Sequence, residues 1–79
     1  MPNVDDSKIK QAIKDFLHVP LEKLSDETRL TELVRESFIL VEMVMYLQDE
    51  FNVQLVQDDL KTAHTVGELI RVFKEKSAS

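Results

Sequence analysis

The chain has 79 residues, enough for one small domain and too few for two cores or for most self-sufficient enzymes. Its apolar fraction of 43% can build a core, while the absence of cysteine excludes disulfides, zinc knuckles, thiol catalysis and covalent haem. Fifteen acids against ten bases leave a net charge of −5, the wrong sign for a nucleic-acid or anionic-membrane binder, so a basic partner surface is the natural complement.

The opening Met1-Pro2-Asn3-Val4-Asp5-Asp6 has neither a basic region nor an apolar stretch of secretory type, and no apolar run approaches bilayer length. The expectation is a soluble cytoplasmic protein, a single domain over 1–79 with residues 1–4 and 77–79 frayed. One glycine and two prolines predict an all-α chain with few loops. Ile9, Ala12, Ile13, Phe16 and Leu17 recur at helical spacing, and Asp5, Asp6 and Ser7 offer an N-cap. A helix is therefore expected from about 5 to 17, ending before Pro20, whose ring pushes the preceding residue out of the α region.

Residues 18–36 read as a long connection punctuated by Val19, Leu21, Leu24, Leu30 and Leu33. A loop of this length in a small domain either serves a function or hides a helical turn. Leu30–Leu33 is the candidate turn, with Thr28 as its possible cap, and Leu24, Leu30 and Leu33 are expected to pin the loop to the core.

Ser37 to Phe51 is the strongest predicted helix, with good formers throughout and neither glycine nor proline. On a helical wheel Leu40, Val44, Leu47 and Phe51 share the core arc, with Val41 and Met43 at its edges. Phe38, Glu42, Met45 and Asp49 occupy the opposite arc, with Ile39, Tyr46 and Glu50 beside them. A short turn is expected at Gln57–Leu60. Thr65 and Glu68 then form a capping box, in which hydroxyl and carboxylate each satisfy an orphan backbone donor. Val66, Leu69, Ile70 and Phe73 form the apolar stripe of the last helix. The fold class is an all-α bundle of three main helices plus one or two short ones, without repeats or low-complexity segments.

Little in the chain suggests intrinsic chemistry. Asp5/Asp6, Asp58/Asp59, His18 and His64 lack metal-binding spacing and read as surface groups, so no metal site is expected. No nucleophile elbow exists, and the sole glycine, Gly67, falls in a helix rather than a phosphate loop. A small bundle also has little room for a closed pocket with an oxyanion hole, so the chain is not expected to be an enzyme.

The informative junction is Leu33-Val34-Arg35-Glu36-Ser37-Phe38-Ile39-Leu40, where a serine meets the start of the most apolar helix directly after an acid. Glu36 or Ser37 can act simply as an N-cap, a role serine fills well and glutamate poorly. Alternatively the serine hydroxyl is presented to another enzyme, and a phosphodiester made on it would sit in the positive end of the helix dipole.

From Glu36 through Phe51 the sequence resembles the acyl carrier protein hallmark: Asp-Ser-Leu, then a helix containing Val-Glu-Leu-Val-Met and ending in acids and a phenylalanine. The opening helix, the loop to the serine and the closing Thr-Val-x-x-Leu-Ile helix extend the likeness through nearly the whole chain. The resemblance implies that Ser37 carries 4′-phosphopantetheine, added from coenzyme A by a separate Mg²⁺-dependent phosphopantetheinyl transferase. Acyl groups then ride as thioesters on the arm, presented to acyl-transfer and condensing enzymes that dock on the helix beginning at Ser37.

The sequence departs from the family pattern at Glu36 for aspartate, Phe38 for leucine, Val34 where glycine is common, and Ile39 where fatty-acid carriers often have an acidic or polar residue. These changes, with Tyr46 and Gln48, make the helix surface more apolar than a general fatty-acid carrier is expected to display. The leading reading is a free-standing, monomeric carrier for polyketide or related specialised assembly. Fatty-acid synthesis and aminoacyl or peptidyl carriage are the within-class alternatives. Expected docking residues are Glu36, Phe38, Ile39, Glu42, Met45, Tyr46 and Asp49. The alternative from another class is a helical interaction module that binds a partner helix or homodimerises.

Overall fold

The computed structural model describes residues 5–78. Its helices are α1 (Asp6–Leu17), α2 (Leu30–Leu33), α3 (Ser37–Phe51), α4 (Gln57–Thr62) and α5 (Val66–Ala78), with a 3₁₀ turn at Leu21–Lys23. Among the described residues there is no strand, only an isolated bridge between Arg29 and Thr65. The bundle of three longer and two short helices is the expected one.

Local chemistry sets most of the boundaries. Asp5 caps α1 by accepting from the Lys8 N–H at 2.9 Å. His18 ends the helix in the left-handed region at φ 58°, and its N–H returns to the Lys14 carbonyl. Asn52 ends α3 in the same way at φ 53°, a conformation asparagine tolerates. At α5 the capping box is complete: Thr65 Oγ1 accepts from Glu68 N, while Glu68 Oε1 accepts from both Thr65 N and His64 N. At α4 only the return half forms, Asp59 Oδ2 accepting from Val56 N at 2.9 Å, because valine has no side-chain acceptor.

The core draws on α1 (Ile9, Ala12, Ile13), α3 (Met43, Val44, Leu47) and α5 (Val66, Leu69, Ile70, Phe73). Leu24 and Leu30 insert from the long connection, with Leu33 half-buried beside them. Val34 is buried as well, a pin the spacing did not reveal. Rings mark two helix contacts: Phe16 on Tyr46 across α1 and α3, and Phe51 edge-on to Phe73 across α3 and α5.

Three local expectations need correction. Thr28 does not cap α2; Arg29 holds that position without a side-chain bond, and the Thr28 hydroxyl turns back to the Lys23 carbonyl and Ser25. On α3, Met43 is fully buried while Val41 is 49% exposed, so the core arc is rotated from the expected one. Ser77, expected to fray, is helical, its hydroxyl donating to the Lys74 carbonyl; residues 1–4 and 79 lie outside the described residues.

The long connection is tied to the start of α5 by backbone. Leu30 N donates to the His64 carbonyl, Val66 N to Thr28 and Gly67 N to Asp26. At Gly67 the approach leaves no space for a side chain: an added Cβ would lie 2.9 Å from Asp26 Cβ and 3.0 Å from the Asp26 carbonyl oxygen. Alanine in a helix is worth about 1 kcal/mol over glycine, but forcing backbone apart costs about 1–3 kcal/mol. Gly67→Ala should therefore lower the melting temperature and expose the Gly67–Asp26 hydrogen bond to exchange. A melting temperature above wild type would show that the loop yields without cost.

Three carboxyls are held below their ordinary range by helix-end partners. The Lys74 ammonium lowers Asp6, the Val56 N–H and then Lys76 lower Asp59, and the His64 and Thr65 N–H groups lower Glu68. A carboxyl depressed in the folded state stabilises above its unfolded pKa and loses that contribution as pH falls through the folded value. The melting temperature should thus fall as the pH drops below about 5, and less steeply in Glu68→Gln. Identical acid profiles for the two proteins would count against the Glu68 contribution.

Candidate functional site

The long connection, pinned by Leu24, Leu30 and Val34, delivers the chain to α3 so that Ser37 is its first helical residue. Glu36 occupies the N-cap position in extended conformation and makes no side-chain capping bond, so neither it nor Ser37 caps the helix with its side chain. The Glu36 carbonyl accepts from Ile39 N and Leu40 N, while the N–H groups of Ser37 and Phe38 have no acceptor among the described residues. The Ser37 side chain is exposed and makes no hydrogen bond with them either. The outcome is an accessible hydroxyl beside free helix N–H donors, a setting that favours an anion attached to that oxygen.

The outer face of α3 runs away from this hydroxyl. Phe38 and Met45 are each 61% exposed, and Val41 joins them one turn from each, so the three form an apolar stripe at helical spacing. Val41 belongs to this face although the wheel placed it toward the core. Glu36, Glu42 and Asp49 are exposed and make no ion pair among the described residues. Ile39 and Tyr46 differ from the expectation of an outward position: both are half-buried, Tyr46 with its ring 5.2 Å from Phe16. Gln48 does not decorate the surface alone; its Oε1 accepts from Leu55 N at 2.7 Å and holds the α3–α4 loop.

Among the described residues, hollows lie on either side of the start of α3. Toward α4 and α5 a cleft of about 600 Å³ has Leu30, Leu40, Leu60 and Ala63 on its floor and Arg29, Thr31, His64 and Glu68 at its rim. Toward α1 a groove of about 410 Å³ adjoins Arg35 and Glu36. Among the described residues no three His, Asp or Glu side chains gather to hold a metal ion.

The family model described as the phosphopantetheine attachment site matches residues 7–73, from the first turn of α1 to Phe73 in α5. The chain belongs to this phosphopantetheine-binding family. Members carry a covalently attached 4′-phosphopantetheine, and carrier domains of this kind are generally non-catalytic, working with a phosphopantetheinyl transferase and biosynthetic enzymes. The site's geometry fits such a group: an exposed hydroxyl and N–H donors that have no partner among the described residues, with open surface on either side. No helix among the described residues is long and apolar enough to cross a membrane.

Proposed function

We propose that Ser37 is the residue esterified with 4′-phosphopantetheine and that this carrier serves polyketide or related specialised acyl assembly. The observation that supports the attachment most directly is the exposed Ser37 hydroxyl at the uncapped N-terminus of α3, inside the span matched to the family. In the loading step the Ser37 oxygen bonds to the phosphorus that bears pantetheine and the pyrophosphate bridge of coenzyme A breaks. Adenosine 3′,5′-bisphosphate leaves, and the hydroxyl proton passes to a base on the transferase. When attached, the arm supplies a thiol on which an acyl group travels as a thioester, chemistry that a chain without cysteine does not otherwise have.

The chain itself catalyses nothing in this reading. It holds the attachment oxygen clear of the core and presents α3 to its partners. Glu36, Glu42 and Asp49 face basic partner surfaces and act mainly on association rate and salt dependence. Phe38, Val41 and Met45 supply apolar contact, with Ile39 and Tyr46 contributing only their uncovered edges. Burying one large apolar side chain against a partner is worth about 1.5–3 kcal/mol, more than a rim ion pair provides. The prominence of apolar over acidic contact is what favours specialised enzymes over those that read an acidic helix.

Incubation with coenzyme A, Mg²⁺ and a broad phosphopantetheinyl transferase, followed by intact mass and peptide mapping, tests the attachment. A gain of one arm on Ser37 is expected. An unmodified chain that self-associates would instead support a helical interaction module. For partner choice, Met45→Ala and Phe38→Ala should reduce acyl transfer with the cognate enzyme roughly ten-fold or more at unchanged melting temperature. Normal transfer by both variants would remove the docking role from this face.

A further inference from the structure

The groove on the α1 side of Ser37 joins apolar walls to a charged rim. Its walls are Phe16 and Leu17 from the end of α1, Leu33 from α2 and Ile39 from α3, all half-buried. Arg35 and Glu36 stand at its rim, immediately before Ser37 in the chain. Arg35 is exposed and makes no ion pair among the described residues.

We propose that Arg35 pairs with the phosphodiester formed on Ser37 and that this groove receives the pantetheine portion of the arm. The proposal rests on Ser37 being the attachment residue. Two residues of chain span at most about 7 Å, so the Arg35 backbone is close to any phosphate bonded to the Ser37 oxygen. A guanidinium matches a pair of phosphate oxygens with parallel donors, and charge-assisted bonds of this type are the stronger ones. Arg35 also offsets the neighbouring Glu36 carboxylate, adding a full positive charge to the partial charge of the free N–H groups at the start of α3. Anchored there, the arm starts along a groove whose apolar walls suit its gem-dimethyl group and whose open side leaves its amides hydrated. The cleft on the other side also offers a cation, Arg29, but that residue lies eight positions before Ser37 and beyond α2.

The test uses wild type and Arg35→Gln, each loaded to completion with excess transferase and coenzyme A and each confirmed by intact mass. Nuclear Overhauser contacts are then measured between the gem-dimethyl group of the arm and the methyl groups of the protein. Contacts to Leu17, Leu33 and Ile39 are expected in the wild type and should be lost in Arg35→Gln, while Arg35→Lys retains part of them. Contacts to Leu40, Leu60 and Ala63 instead, or no contacts in the loaded wild type, would overturn the groove. Contacts unchanged in Arg35→Gln would overturn the role of Arg35. A wild-type chain that gains no mass overturns the attachment at Ser37, and this inference falls with it, so the two failures are told apart by the mass alone.

Discussion

Ser37→Ala should take up no phosphopantetheine while folding as the wild type does. The proposed bond forms on the serine oxygen, and alanine has none, so the loss is complete rather than graded. The stability expectation follows from the geometry of the helix start. Removing an N-cap serine costs about 0.5–2 kcal/mol, but Ser37 is the first helical residue and its hydroxyl makes no hydrogen bond among the described residues. An exposed side chain without contacts changes stability by no more than about 0.5 kcal/mol on replacement. Parallel measurement of intact mass and thermal melting decides the matter. Loading at another residue in the alanine variant would refute the attachment, and a large drop in melting temperature would give Ser37 a structural role instead.

Phe73→Ala should have the opposite profile, with stability lost first and loading lost as its consequence. Phe73 is fully buried on α5 and meets Phe51 edge-on, with ring centroids 6.5 Å apart. Truncating a buried phenylalanine to alanine costs about 3–5 kcal/mol through lost transfer energy and the cavity left behind. At about 0.05–0.15 kcal/mol per residue, a chain of this size has roughly 4–12 kcal/mol in all. The variant should therefore unfold at much lower denaturant and be largely unfolded on mild heating, whereas Phe73→Leu, which leaves a smaller void, should lose less. A variant with near-wild-type stability would mean that Phe51 and α5 collapse into the space. Comparing it with Ser37→Ala separates loss of the oxygen from loss of the fold that presents it.

Much of this protein is written in short-range chemistry. The span of α3 from Ser37 to Phe51 follows from uninterrupted helix formers, and its position after an acid and a long loop singles out the serine. The Thr65–Glu68 box and the Asp5 cap are likewise local, each made by residues three apart; spacing alone predicts the box, whereas for α1 it offers Asp5, Asp6 and Ser7 and the structure selects Asp5. The family likeness rests on the same residues in the same order, and the match over residues 7–73 agrees with it.

What the tertiary structure decided is which neighbour each side chain meets. Helix α3 has apolar residues nearly all round near its start, so its periodicity does not specify which arc turns inward. Packing against α1 and α5 buries Met43, leaves Val41 outside and draws Tyr46 onto Phe16. Glu36 as an unbonded cap depends on how the pinned loop enters the helix, and Thr28, adjacent to Arg29 in sequence, is turned away by its own bond to Lys23. Gly67 is needed because Asp26, forty-one residues earlier, passes against it, and Arg35 gains its groove because α1 ends beside α3. Caps and helix spans arise from contacts a few residues long, whereas faces, clefts and close approaches arise from contacts between segments far apart in the chain.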